Sequence, residues 1–210
     1  MADYEPLSWG VVSGNVNLVK AETKALINAC INPLDIINNG LVAGMTTVGI
    51  RFKKGEMFVP EVLMSSKAMM AGMDLVKPLL TGKRMPKLGK VIMGTVQGDL
   101  HDIGKNLVAI LLENGGFEVV NIGTDIPPEK FVQSLQEEKP DIIGISALLT
   151  TTMYKLKDTI KLIRKENEKV YIIVGGAPIT ENFAREIGAD GYAPDGIQAV
   201  DVCKKLLKVH

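Results

Sequence analysis

Cysteine is scarce in this chain: Cys30 and Cys203 are the only two among 210 residues, far apart and in no metal-spaced pair. That argues against a disulfide scaffold and fits a reducing compartment. Both thiols sit among periodic apolar residues, so both are expected to be buried packing groups. An excess of either charge is also missing, with 24 basic and 24 acidic side chains. No bulk field attracts nucleic acid or an anionic membrane, and neither partner is expected. No apolar run reaches the roughly 20 residues that span a bilayer. Met1-Ala2-Asp3-Tyr4-Glu5-Pro6 shows no basic region followed by an apolar stretch, so a cytoplasmic location is expected. Internal repeats and low-complexity segments are absent as well.

What is present is an ordinary soluble mixture, 46% apolar and 23% charged, long enough for one large domain or two small ones. The first eighty or so residues read as helical. Asn15 caps a helix whose apolar face includes Val19, Leu26 and Cys30. Pro33 begins the next, with Leu41, Met45, Val48 and Phe52 on one face, and Lys53-Lys54-Gly55 ends it. A last helix starts near Pro60 and runs through Leu63, Met70 and Leu75. Helices with short turns and no strand pattern imply a small bundle. Gly82-Lys83-Arg84-Met85-Pro86-Lys87-Leu88-Gly89 breaks the pattern. The expected division is therefore a helical domain over 1–82, a linker over 83–89 and an α/β domain over 90–210.

Beyond the linker, strand and helix signals alternate. The strands are expected at Val91–Val96, Phe117–Ile122, Ile142–Ile145 and Val170–Val174, with a short fifth near Gly191–Ala193. Helical stripes such as Leu156, Ile160 and Ile163 lie between them. Five such units imply a doubly wound parallel sheet, covered on both faces and flavodoxin-like.

Three loops at one edge of this sheet have unusual compositions. The first, Gly98-Asp99-Leu100-His101-Asp102-Ile103-Gly104, presents a histidine where open parallel sheets bind ligands. Asp99 stands close enough to orient the imidazole, and Gly104 lets the chain pass a bulky group. The second, Ser146-Ala147-Leu148-Leu149-Thr150-Thr151-Thr152, is rich in hydroxyls. The third, Gly175-Gly176-Ala177-Pro178, has almost no side chains, and Tyr192, Ala193 and Asp195 add a wall. Each alone has a plain explanation as turn, helix cap or solvated loop; one ligand site accounts for all three. Nucleotide readings fail. Five residues, not four, separate Gly98 from Gly104, and Asn106 stands where a P-loop needs serine or threonine. The dinucleotide fingerprint is missing, and Ser146 occupies the place of a receiver-domain aspartate.

Asp99-x-His101-x-x-Gly104, then Ser146-x-Leu148, then Gly175-Gly176 resembles the cobalamin-binding signature of methionine synthase and the corrinoid methyl carriers. Gly44-Met45, Val48-Gly49, Phe52, Gly55-Glu56 and Phe58-Val59-Pro60-Glu61-Val62-Leu63 are similar to the helical cap that accompanies it. The resemblance implies that His101 coordinates cobalt through Nε2, displacing the corrinoid's own base (base-off, His-on). Asp99 would accept the Nδ1 proton, and Thr152 would replace the serine that completes this relay. The cofactor's nucleotide tail would run beside Ser146, Leu148, Thr150 and the backbone of Gly175, Gly176 and Ala177, with Tyr192, Ala193 and Asp195 completing the pocket. Glycine would leave the tail its path. Phe58, Val62, Ser65 and Met69 share a cap face, and Phe58 is the expected contact to the methyl group.

By the same resemblance the chain would carry a methyl group on cobalt and be non-catalytic alone. The donor would be methanol, a methylamine, a methylthiol or a methoxyaromatic compound, and the acceptor a thiol or tetrahydrofolate. Partners implied are a substrate-specific methyltransferase, an acceptor methyltransferase and a reductive activation protein. The cap would cover the upper face and swing away on a hinge at Gly82–Gly89. A corrinoid-sensing regulator and the small subunit of a mutase remain alternatives.

Overall fold

Residues 2–80 and 87–209 are described by a computed structural model, in which the chain divides into two units, residues 1–86 and 87–210. Residues 81–86, which include most of the predicted linker and hinge, lie outside the described residues.

The first unit is built from amphipathic helices. α1 (Glu5–Val12) is followed by α2 (Val16–Asn28), which starts where the Asn15 side chain accepts the Leu18 N–H at 3.0 Å. Asn32 caps α3 (Pro33–Asp35), which continues as a π-helical stretch (Ile36–Val42) and then as α4 (Ala43–Lys53). The regular helix expected from Pro33 is thus widened near its start. Asn38, Asn39 and Gly40, all weak helix formers, occupy the widened stretch. α5 (Val59–Val76) begins at Phe58, whose N–H donates to the Glu61 carboxylate at 2.8 Å. Leu7, Val11, Val19, Ile36, Leu41, Met69 and Val76 meet in the bundle core.

One further expectation for this unit is corrected. Cys30 is exposed, because α2 stops at Asn28 and Cys30 takes a left-handed turn at φ 56°. Helical spacing from Leu26 therefore no longer applies to it. On α5 the buried face carries Val62, Ser65, Met69 and Met73, while Leu63 is exposed. α5 is apolar on several sides, so periodicity alone does not select the face. The Ser65 hydroxyl donates to the Val12 carbonyl at 3.3 Å, so this small polar residue serves the bundle contact.

The second unit alternates strand and helix. Its elements are β1 (Lys90–Val96), α6 (Ile103–Asn114), β2 (Glu118–Ile126), α7 (Pro128–Glu138), β3 (Ile142–Ser146), α8 (Lys155–Glu166), β4 (Tyr171–Gly175), α9 (Glu181–Glu186), β5 (Gly191–Tyr192) and α10 (Gly196–Leu207). All pairings are parallel, in the order β2-β1-β3-β4-β5. The expected doubly wound five-stranded sheet is what forms. β2 runs past the expected end to Ile126, with register shifts opposite Gly94.

Both sheet faces are apolar because both are covered. Ile92, Ile143, Ile145, Ile172 and Val174 pack with Phe131, Leu135, Leu156, Ile160 and Ile163 of α7 and α8. Val91, Met93, Ile142 and Ile173 pack with Leu112 and Cys203 of α6 and α10. The chain goes from β1 to β2 on one side and then to β3 on the other. The crevice above the carboxyl ends of β1 and β3 is therefore the topological switch point, where sheets of this order take ligands. Register sets Thr95 beside Ser146, and Ser146 beside Gly175, along that edge.

Candidate cofactor site

Asp99 is the organising group of the switch-point crevice. Its side chain is fully buried within the β1–α6 loop, where an unpaired carboxylate would be very unfavourable. Five donors resolve this. Oδ1 accepts His101 Nδ1 at 2.7 Å and the His101 N–H at 3.1 Å. Oδ2 accepts the Leu148 N–H at 2.7 Å, the Leu149 N–H at 3.3 Å and the Thr152 hydroxyl at 2.8 Å. Burial pushes the Asp99 carboxyl up, but the Leu148 N–H, the His101 ring, the Thr152 hydroxyl and the His101 N–H outweigh it. The group is held well below the usual carboxylate range.

His101 keeps a half-exposed side chain. A carboxylate on Nδ1 selects the tautomer with its proton there, which leaves Nε2 as an unprotonated lone-pair donor facing away. Its carbonyl accepts the Thr95 hydroxyl at 3.0 Å, and that hydroxyl also meets Ser146 Oγ at 2.8 Å. Two strand ends and two loops thus fix one imidazole.

Around it stand Leu100, Ile103, Leu148 and Leu149, all exposed apolar side chains. Exposed leucines flanking a polar ligand atom suit a flat, apolar-edged group better than a free ion. No three metal-binding side chains converge among the described residues, so a metal on His101 would need its other ligands from a macrocycle. Gly104 fits the same picture: a β-carbon there would meet nothing within 4 Å. The residues present therefore fit a metal macrocycle.

The remaining predicted residues sort by what they touch. Gly98 turns at φ 84°, and Asp102 heads α6 with its carboxylate accepting Asn106 Nδ2 at 3.1 Å. Thr150 and Ala177 are exposed on their loops. Gly175 and Gly176 are required by the fold itself. A β-carbon on Gly175 would lie 2.6 Å from the Ala193 carbonyl oxygen, and one on Gly176 would overlap the Ala147 carbonyl. Gly176 also has φ 130°. Backbone packing alone therefore accounts for both glycines. Tyr192 packs on the sheet core, Ala193 is buried, and Asp195 caps α10 through the Gln198 N–H at 2.8 Å. Phe58 belongs to the other unit, where it heads α5 with its ring exposed. Val62, Ser65 and Met69 are buried in the bundle.

Sequence reasoning assigned no role to Thr95, Leu149, Asp125 or Lys105. Lys105 is buried on α6, and its ammonium donates to Asn121 Oδ1 at 2.7 Å and Asn106 Oδ1 at 2.8 Å. Burial pushes that ammonium down from its ordinary value. Its spacing with Ala109 and Leu112 on the buried face was the available signal.

Fold and site together define a cofactor-binding module of the flavodoxin-like class. A family model described as a B12 binding domain matches residues 89–201, and a second model of the same description matches residues 4–77. The chain belongs to this family of B12-binding corrinoid proteins. A corrinoid protein of Desulfitobacterium hafniense is 39% identical over 99% of this chain and 98% of its own length. The dimethylamine corrinoid protein of Methanosarcina barkeri is 46% identical over 84% of each chain. Among solved structures, a chain of the methanol:cobalamin methyltransferase complex MtaBC from Methanosarcina barkeri superposes with a TM-score of 0.85 at 31% identity. That match covers 97% of this chain and 78% of the other.

Proposed function

We propose that this protein carries a methyl group on a corrinoid between two methyltransferases, with His101 Nε2 as the lower ligand of cobalt. The 2.7 Å contact from Asp99 to His101 Nδ1 is the observation that carries this reading. When bound, the corrinoid supplies the chemistry, its cobalt accepting and releasing the methyl group. The protein's own part is to bind, orient and shield.

Asp99 holds the Nδ1 proton and sets the ring plane, while the Leu148 and Leu149 amides and Thr152 hold Asp99. Such outer partners raise the basicity of a ligating imidazole. With His101 in that place the cofactor's own base would be displaced, and Ser146, Leu148 and Thr150 would hold its nucleotide tail. Leu100, Ile103 and Leu148, exposed apolar side chains, would pack against the macrocycle and exclude water there.

A methylated amine is the proposed donor, supported by relatives named as dimethylamine corrinoid proteins at 46%, 44% and 42% identity. A substrate-specific methyltransferase delivers the methyl group, and a second methyltransferase passes it to a thiol or folate-type acceptor. A reductive activation protein restores oxidised cofactor.

The test is reconstitution of the apoprotein with cobalamin and reduction to cobalt(II). Wild type is expected to show axial nitrogen splitting in its paramagnetic resonance spectrum, and His101→Ala to lose it. Identical spectra would remove His101 from the coordination sphere. Labelled dimethylamine, supplied with its methyltransferase, should transfer label to the holoprotein; transfer from methanol only would overturn the donor assignment.

A further inference from the structure

Asp125 lies at the sheet edge, near the end of β2, and no motif pointed to it. It is one of four non-glycine residues in the left-handed region among the described residues, at φ 55°. An aspartate tolerates that conformation at an energetic cost, and such strain persists only where surrounding contacts enforce it. The contacts here are reciprocal. The Gly98 N–H donates to Asp125 Oδ1 at 2.6 Å, and the Asp125 N–H donates to the Asp99 carbonyl at 3.0 Å. Asp125 lies within the shifted stretch of β2 between the pairs Gly94–Gly123 and Val96–Ile126, where an irregular register re-aims the strand. Gly98 itself is at φ 84°. Asp125, near the end of β2, is therefore tied to the Gly98-Asp99 turn by two hydrogen bonds, one to each residue.

What the lock fixes is the backbone directly under the Asp99 carboxylate. Rotation of the backbone about Gly98 and Asp99 would swing that carboxylate away from His101, Leu148 and Thr152. Asp125 pins the peptides on either side, Gln97–Gly98 through the Gly98 N–H and Asp99–Leu100 through the Asp99 carbonyl, while the Asp99 N–H between them donates to the Val96 carbonyl at 3.1 Å.

We infer that Asp125 is a positioning residue for the cofactor ligand: it clamps the Gly98–Asp99 backbone so that Asp99 stays aimed at the imidazole of His101. This rests on the reading of His101 as the lower ligand of cobalt. Its role is through Asp99, without contact to the metal.

Two variants of the full chain separate the possibilities. Asp125→Gly removes the acceptor but relieves the left-handed strain, so folding is not at risk. Asp125→Asn keeps an acceptor oxygen and tolerates the same backbone. In the apoprotein, Asp125→Gly should accelerate amide exchange at Gly98, His101 and Leu148 by at least about tenfold, with β1 and β3 amides unchanged. In the cobalt(II) holoprotein it should lose most of the axial nitrogen splitting. Asp125→Asn should match wild type in both.

Unchanged exchange and splitting in Asp125→Gly would overturn the inference. So would faster exchange with splitting intact, which would make Asp125 merely structural. Loss of splitting in Asp125→Asn equal to that in Asp125→Gly would assign the effect to charge, and overturns it too. Coincident wild-type and His101→Ala spectra would defeat the ligand reading instead. In that event the exchange at His101 and Leu148 still decides whether Asp125 aims Asp99.

Discussion

Thr152 reaches back 53 residues to give its hydroxyl proton to Asp99 Oδ2 at 2.8 Å, on the oxygen that His101 does not use. The same hydroxyl lies 3.1 Å from the Leu149 carbonyl, so loop and carboxylate hold each other. A helix-cap role for this threonine is set aside, since α8 begins later, at Lys155.

Thr152→Val should therefore lower corrinoid affinity by about tenfold to a hundredfold, the range found for outer partners of metal ligands. Thr152→Ser should stay near wild type. Equilibrium titration of apoprotein with cobalamin measures both; equal affinity in the valine variant would show that the hydroxyl is dispensable.

Acid should reveal Asp99 in the apoprotein. Its carboxyl is held well below the usual range, so the folded state binds fewer protons there than the unfolded state does. The stabilisation is fully present above the unfolded value of about 4 and is lost as pH falls toward the folded one. Urea midpoints should drop below about pH 4, and less steeply in Asp99→Asn. Parallel curves would show that other carboxylates govern acid unfolding.

The two thiols should react unequally. Cys30 is exposed, whereas Cys203 is buried and its thiol is pushed up to about 12 by burial. A thiol-directed chromogenic disulfide should titrate Cys30 in the native protein and Cys203 only after denaturation. Cys203 labelling in the native protein at the rate of Cys30 would mean that the α10 face opens readily.

Two glycines should respond in opposite ways. Gly176→Ala forces a β-carbon into the Ala147 carbonyl at a positive φ and should destabilise the apoprotein by about 1–3 kcal/mol. Gly104→Ala meets open space on α6 and should stabilise it by about 0.5–1 kcal/mol. It should nevertheless weaken corrinoid binding, because the new methyl would occupy open space at the start of α6, three residues after His101. Chemical denaturation and cobalamin titration give both signs; unaltered binding in Gly104→Ala would place the macrocycle elsewhere.

Much of this molecule was legible from local pattern. Alternating strand and helix signals after residue 90 announced the sheet, because buried parallel strands are continuous apolar runs. The motif around His101 named the loop and its histidine, since ligand and orienting carboxylate lie two residues apart. Less could be read where a segment is apolar on several sides, as on α5, or where a helix stops early, as before Cys30.

Sequence alone determined the order of elements, the switch-point histidine and its acidic neighbour, all of which depend on short-range spacing. Only the tertiary structure decided who holds Asp99, why Gly176 must be glycine, and that Asp125 grips Gly98. Those contacts join residues 27 to 53 positions apart, or carbonyls of separate loops. No periodicity encodes them; they arise when strand register brings the loop ends of β1, β2, β3 and β4 to one edge.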